Sequence, residues 1–458
     1  MAEDAARGQS YDPTSFNIVS AELINHAGES RDIKNLVSEF LIRESLVLPT
    51  LILDVTIGDA VNFFESFALI GQESLILEIE KFPIIVEEPQ TITVEFFISE
   101  YPEYIRSETN ANQQAYTLRG ISPYAYNSKF QRISRAYTGS AMSEIVRIIN
   151  NDLFWTQLTV NGADATSHRG IINYQEPLAA IEYFRRMAHD ENGAPFYFWQ
   201  TIDGTARLSS LSSLINDSSN PVYNTYVYLN GFISTPYTEL DYIERAVRIR
   251  NLSSKLGISK LKQSTTGGYA SKIKKLDLST KTYTEELFNF DDSSGAGPRN
   301  TDLAGEKNSV LLSTSFKIGR NNDNSINTLP DVHREYLSKN DLAYGDYGIK
   351  NYTTQLIDGI ARMNSFYSKM DTMSHTIELC GDFQLKAGRK IKLLFPKSME
   401  AETYRNFNED DFEPEHLDLL MSGVYLITGV NHTFKINEQT NEYLCSIECK
   451  KDSVFSEM

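Results

Sequence analysis

The chain has 458 residues and a formal net charge of −18, from 61 acidic and 43 basic side chains. That length calls for three or four domains of roughly 100 to 150 residues, and a composition 41% hydrophobic and 11% aromatic is ample for their cores. The acidic balance argues against an outer surface that holds nucleic acid non-specifically, because phosphate binding needs a positive field.

Residues 1–14 read as a flexible tail. The opening MAEDAARGQS places acidic and polar groups where a signal peptide needs a basic start and an apolar run, so no targeting segment is expected. No stretch approaches the roughly 20 apolar residues of a membrane span, since Pro49 and Asp54 interrupt the best candidate at 46–57. A soluble chain made in a cytoplasm, with no membrane binding, is the expectation.

From 33 to 98, short runs alternate apolar and polar residues (51–57, 75–79, then Ile92, Val94, Phe96 and Ile98) and are broken by turn residues. Period two with such punctuation predicts β-strands of a barrel, assigned to 15–123. A short helix is expected at 60–67, capped by Asp59. After Tyr124 the period lengthens to that of a helix. Ser140 is placed to cap a helix whose apolar face is Met142, Ile145, Val146, Ile149 and Leu153. Pro177 opens a second helix bearing Leu178, Ile181, Phe184 and Ala188 and ending near Asn192 and Gly193. Asp203-Gly204 between two strand-like runs has the preference of a type I′ hairpin. These elements predict a small α+β domain over 124–230.

The strand grammar then returns, split in two. A second barrel is assigned to 231–290 and 372–458, with an insertion domain at 291–371. The insertion starts in a turn-rich loop at 291–298, includes the polar run 321–324, and ends in a helix over 353–370 striped by Leu356, Ile360, Met363 and Tyr367. In the resumed half Met373, His375, Ile377 and Leu379 alternate, Gly381-Asp382 and Ala387-Gly388 turn, and 423–434 with 443–451 form a closing hairpin. The fold class is therefore mainly β with α+β: two similar antiparallel β-barrels, a small α+β domain and an insertion.

Charge is distributed in blocks. Between 50 and 105 eleven acids face Lys81 alone, whereas between 243 and 281 ten bases face Glu244 and Asp277. Unlike blocks on two similar units would let the acidic unit of one subunit sit beside the basic unit of the next. The candidate inter-subunit contacts are Glu78, Glu80, Glu87, Glu88, Lys272, Lys274 and Lys275. A third block, 400–420, carries eight acids against Arg405.

Chemistry-bearing motifs are sparse. The seven histidines (His26, His168, His189, His333, His375, His416, His432) show no pair at metal spacing. Cys380, Cys445 and Cys449 read as core thiols, the last two being about 13 Å apart on one strand face and beyond bridging. Glu409-Asp410-Asp411 read as a solvated loop and lack calcium-loop spacing. Thr265-Thr266-Gly267-Gly268 read as a turn, and no phosphate loop or nucleophile elbow is present. No catalytic, cofactor-binding or metal-binding residue is assigned, and no cofactor is expected.

The runs GDFQLKAGRKIKLLFP, SGVYLITGVNHTF and YLCSIECKKDS resemble the C-terminal barrel of the baseplate hub proteins of contractile-tailed phages. The stretch 36–80, with its short helix and Gly-x-Glu, resembles that family's first barrel, and 248–283 its second barrel's opening. Matching positions of the pattern are Gly381, Asp382, Gly388, Pro396, Gly423 and Tyr425. The resemblance implies a non-enzymatic homotrimer whose six similar units join a hexameric tail tube protein to a trimeric central spike protein. It also implies contacts with baseplate wedge and tape-measure proteins, a location in the virion tail baseplate, and kinship with the base of type VI secretion spikes. A glycan-binding or peptidoglycan-hydrolysing tail protein is the alternative reading, kept open by 25 Tyr, 24 Phe and abundant carboxylates.

Overall fold

A computed structural model describes residues 12–67, 69–81, 89–107, 113–216, 218–228, 242–256, 270–277, 281–289, 309–310, 332–338, 352–370, 373–397, 417–418, 420–436, 441–452 and 454–455. The N-terminal strands are β1 (Asn17–Ile24), β2 (Ser30–Asp32), β3 (Val37–Ser45), β4 (Ile52–Asp59), β5 (Ser74–Lys81), β6 (Gln90–Arg106) and β7 (Gln114–Ile121). Next come β8 (Ile133–Gly139), β9 (Leu158–Asn161), β10 (His168–Gln175), β11 (Phe196–Gln200), β12 (Ala206–Ser210) and β13 (Val222–Val227). The remainder are β14 (Asn251–Leu256), β15 (Ala270–Asp277), β16 (Thr282–Asn289), β17 (Ser309–Val310), β18 (Val332–Ser338), β19 (Met373–Cys380), β20 (Lys390–Leu394), β21 (Gly423–Ile436), β22 (Asn441–Lys451) and β23 (Val454–Phe455).

The chain is mainly antiparallel β, as its alternation predicts. In β5, Leu75, Leu77 and Ile79 are fully buried while Glu78 and Glu80 take the outer face, the two-faced pattern that period two dictates. What the pattern does not reveal is continuity: one thirteen-stranded sheet runs β14-β19-β22-β21-β3-β4-β7-β6-β5-β1-β2, with β20 and β13 branching from β21. The join is the antiparallel pairing of β21 with β3, in register Phe434↔Phe40. Across that seam Phe40, Phe434 and Tyr443 stack in directly opposed positions, with centroid separations of 4.3 and 4.1 Å. Phe16 adds an edge-on ring 5.1 Å from Phe434. A single apolar core consequently extends from β1 to β22.

The α+β unit packs separately around Ile145, Ile149, Trp155, Ile181, Phe184 and Phe198. Ser140 caps the helix Ala141–Arg147 as expected, its side chain accepting the Ser143 amide, but the chain then widens into a π-helical turn over Ile148–Asp152. The helix Pro177–Arg185 starts at its proline and stops well before Asn192; a turn in which the Gly193 amide reaches the Asp190 carbonyl follows. The 203–204 turn also differs. Only Gly204 has a positive φ, of 81°, and the Gly204 amide bonds Thr201 while the Thr201 amide bonds Thr205. That is a three-residue turn with a glycine bulge, because a type I′ turn needs positive φ at both central residues.

The helix expected at 60–67 contracts to Phe63–Ser66, and Asp59 holds its start by accepting the Val61 and Phe64 amides. Pro13 and Ser15 give their carbonyls to the buried Lys81 ammonium, so 12–15 is pinned to the end of β5. The helix Tyr352–Met370 matches the expected 353–370; Met363 is buried and Tyr367 is 37% exposed. The loops at 265–268, 291–298 and 321–324, the side chains of Leu356 and Ile360, and the acidic run 400–416 lie outside the described residues.

Candidate assembly site

The pattern residues at 381–425 fall at corners of the C-terminal strands. Gly381 follows β19 beneath Tyr443: a Cβ there would lie 2.1 Å from the ring, so only glycine admits this approach. Asp382, buried, accepts the Tyr223 hydroxyl at 2.5 Å and the Gln384 amide at 2.8 Å. Gly388 turns the chain with φ 84° and gives its amide to Ile427. Pro396 bridges to Leu417, and Gly423 opens β21. Tyr425 is fully buried; its hydroxyl bonds the Met421 carbonyl and lies 2.9 Å from His375 Nε2. His375 meets Ser254 through Nδ1, also at 2.9 Å. Burial, helped by Lys451, pushes the His375 imidazole down to about 4, so it is a neutral hydrogen-bonding core group at physiological pH. Glu73 of the Gly-x-Glu run is likewise structural: it accepts the Ile70 and Gly71 amides and the Tyr101 hydroxyl.

Glu44 was not among the residues singled out above, yet it joins three parts of the molecule. Its Oε2 accepts the Ile202 amide of the α+β hairpin at 2.7 Å, and its Oε1 accepts the Ala387 amide at 2.6 Å. His432 Nε2 faces it from β21 at 3.9 Å, and Nδ1 is 2.7 Å from the Tyr443 hydroxyl. The signal was available in parity. Phe40 and Ile42 point inward on β3, so position 44 also points inward, and a carboxylate there needs dedicated donors.

The charge blocks are partly neutralised within the chain. Asp54 receives Arg43 at 2.5 Å and Arg119 at 2.7 Å, Glu100 receives Arg119 at 2.7 Å, and Glu65 receives Arg106 at 2.8 Å. Those arginines stand outside the 50–105 window, so sequence counting missed them. Glu78 and Glu80 remain on an outer face beside Thr93 and Thr91, with Ser20 donating to Glu78 at 3.3 Å. Lys272 of β15 pairs with Glu285 of β16 at 2.5 Å, and Lys274 stands opposite Glu285. The structure thus separates the acidic from the basic candidates onto different sheets. Glu87, Glu88 and the Lys275 side chain lie outside the described residues.

All three cysteines are free and buried. Among the described residues no His, Cys, Asp and Glu are grouped to hold a metal ion, and no helix is long and apolar enough to cross a membrane. Glu409, Asp410, Asp411 and His416 lie outside the described residues.

No family model and no curated protein matches the chain. Solved structures do. A tail protein from Neisseria meningitidis aligns over 96% of this chain and 97% of its own, at 10% identity and a TM-score of 0.50. The 43 kDa tail protein of prophage MuSo2 from Shewanella oneidensis covers 94% and 98% at 9% identity and a TM-score of 0.48. An E. coli component of the type VI secretion system covers 96% and 77% at 8% identity and a TM-score of 0.42. The end-to-end alignment with the Neisseria protein shows that this chain shares the fold of that tail protein.

Proposed function

We propose that this chain is a structural, non-catalytic baseplate hub of a contractile tail, a homotrimer that joins a hexameric tube to a trimeric spike. The observation that carries the reading is the end-to-end tail-protein fold, covering 96% of this chain. It is supported by a strand grammar that occurs twice in the sequence and is fused into a single sheet at β21–β3. Two related units about 60° apart satisfy a three-fold and a near six-fold ring together, since heterologous contacts close only when the rotation divides a full turn. In this reading the acidic outer face of β5 and the basic strand β15 are the inter-subunit candidates, and the spike, tube, wedge and tape-measure proteins are the partners.

Native mass measurement and negative-stain imaging of the purified chain test the reading. Three copies arranged as a six-lobed ring are expected, and a monomer both alone and with its spike would remove it. Reversing Lys272, Lys274 and Lys275 to Glu should weaken the ring without unfolding the subunit; normal rings from that variant would retire the charge contacts while leaving the hub.

A further inference from the structure

A cleft of about 340 Å³ opens where β11–β12, the helix Leu211–Ile215 and the loop 386–389 meet. Its charged lining residues are Arg207, Lys386 and Arg389, and no carboxylate is among them. In a chain of net charge −18 this is an inversion of the local field. Lys386 is matched from behind by Asp203, 2.7 Å from its ammonium. Burial pushes the Asp203 carboxyl up, but Lys386 outweighs it and holds it at about 2. The two arginines are not matched. Among the described residues neither forms an ion pair: Arg207 Nε approaches Thr201 Oγ1 at 3.4 Å, and the Arg389 guanidinium lies 5.2 Å from the Tyr223 ring centre. Guanidinium forks of this kind favour carboxylates, which they bind with paired, charge-assisted hydrogen bonds.

The backbone around the cleft points to the shape of the ligand. Among the described residues β9 pairs only with β12, and β13 pairs with β20 and, at its far end, with the 248–249 segment, where Val227 bridges Arg248 and accepts the Ile249 amide; the start of β13 at Val222 and Tyr223 has no second strand beside it. Asn161, at the end of β9, and Val222 and Tyr223, at the start of β13, all line the cleft. Free strand edges offer N–H and C=O groups to an added extended chain. Trp199 and Leu214 supply an apolar wall, and the Trp199 Nε1 has no hydrogen-bond partner among the described residues.

We propose that this cleft binds an extended acidic peptide segment of a partner protein, its carboxylates on Arg207 and Arg389 and its backbone along the start of β13 at Val222 and Tyr223. The inference goes beyond the hub reading and is independent of whether three copies form a ring.

The experiment is fluorescence anisotropy of the full chain with a labelled Glu-Val-Glu-Val-Glu-Val peptide, whose glutamates share one face when extended. Saturable, salt-weakened binding is expected, with the matching Gln-Val peptide at least about tenfold weaker. The double variant Arg207→Gln, Arg389→Gln should lose about tenfold. Ser219→Lys, on the exposed rim, should gain about threefold, a result that misfolding cannot produce. Four results overturn the proposal: no binding by the unaltered chain, equal binding of the glutamine peptide, unchanged affinity in both sets of variants, or saturation by inorganic phosphate that the peptide cannot displace. The last would mark a small-anion site. Ring mass recorded in parallel separates this outcome from the fate of the hub reading.

Discussion

The seam between β3 and β21 and the small sheet β16-β15-β18 are both strand ladders, but they are held by different physics. At the seam, three opposed aromatic rings are fully buried, so apolar area and ring stacking act in the same place. In the small sheet Ile273 and Phe288 are buried, but Leu276, Tyr283 and Leu287 stand in solvent and a described charged pair is Lys272–Glu285, with side chains 34% and 38% exposed. Exposed pairs of that kind contribute about 0.2 to 1 kcal/mol, well below what a buried ring supplies. The aromatic seam is therefore the more cohesive of the two ladders, and the small sheet keeps its charged pair near the surface.

Breaking the seam should have the largest effect. Phe434→Ala removes the middle ring of the stack and should cost about 4 kcal/mol in denaturant unfolding. It should also split one cooperative transition into two, as the halves lose their shared core; two transitions already present in the unaltered chain would show that the seam does not couple them.

Next comes the carboxylate beside it. Glu44→Ala leaves the Ile202 and Ala387 amides without their acceptor and should cost about 3 kcal/mol. Glu44→Gln, which keeps one acceptor oxygen, should cost roughly half as much. Equal stabilities for all three proteins would mean the joint between the 202 hairpin and the loop 386–389 lies elsewhere.

The third test is a pH titration. His375 titrates at about 4 in the fold against 6.5 for the free side chain. Between those values the unfolded chain takes up a proton and the native one does not, so stability rises with pH across that window and is fully present above it. His375→Gln should flatten this rise by about 3 kcal/mol relative to the unaltered chain. Parallel curves would mean His375 titrates alike in both states.

The smallest effect belongs to the exposed sheet. Lys272→Ala should change stability only slightly, and still less at high salt. A much larger loss would erase the contrast between the two regions.

Much of this was legible one element at a time. Met373, His375, Ile377 and Leu379 announced the buried face of β19, Ser140 and Pro177 marked two helix starts, and the three cysteines read correctly as core thiols. Errors arose where a neighbour distant in sequence decides. The Asp203-Gly204 pair satisfied the composition of one turn while the register of β11 and β12 imposed another. The acidic block was counted without Arg43, Arg106 and Arg119, which reach into it from other strands. The cleft is built from loops and strands that no local pattern connects.

Local pattern was enough for most strands of the N-terminal and C-terminal parts, their inward faces and four helix starts, because period, capping and turn preference act over a few residues; β8, β10 and the helices Pro123–Phe130 and Tyr242–Val247 left no such signal. Packing the whole chain together set the pairing of β3 with β21, the hold of amides from positions 202 and 387 on Glu44, and the meeting of two arginines at one cleft. Those outcomes depend on contacts between residues well over a hundred positions apart, which are selected by packing all the faces together and leave no period in the chain to read.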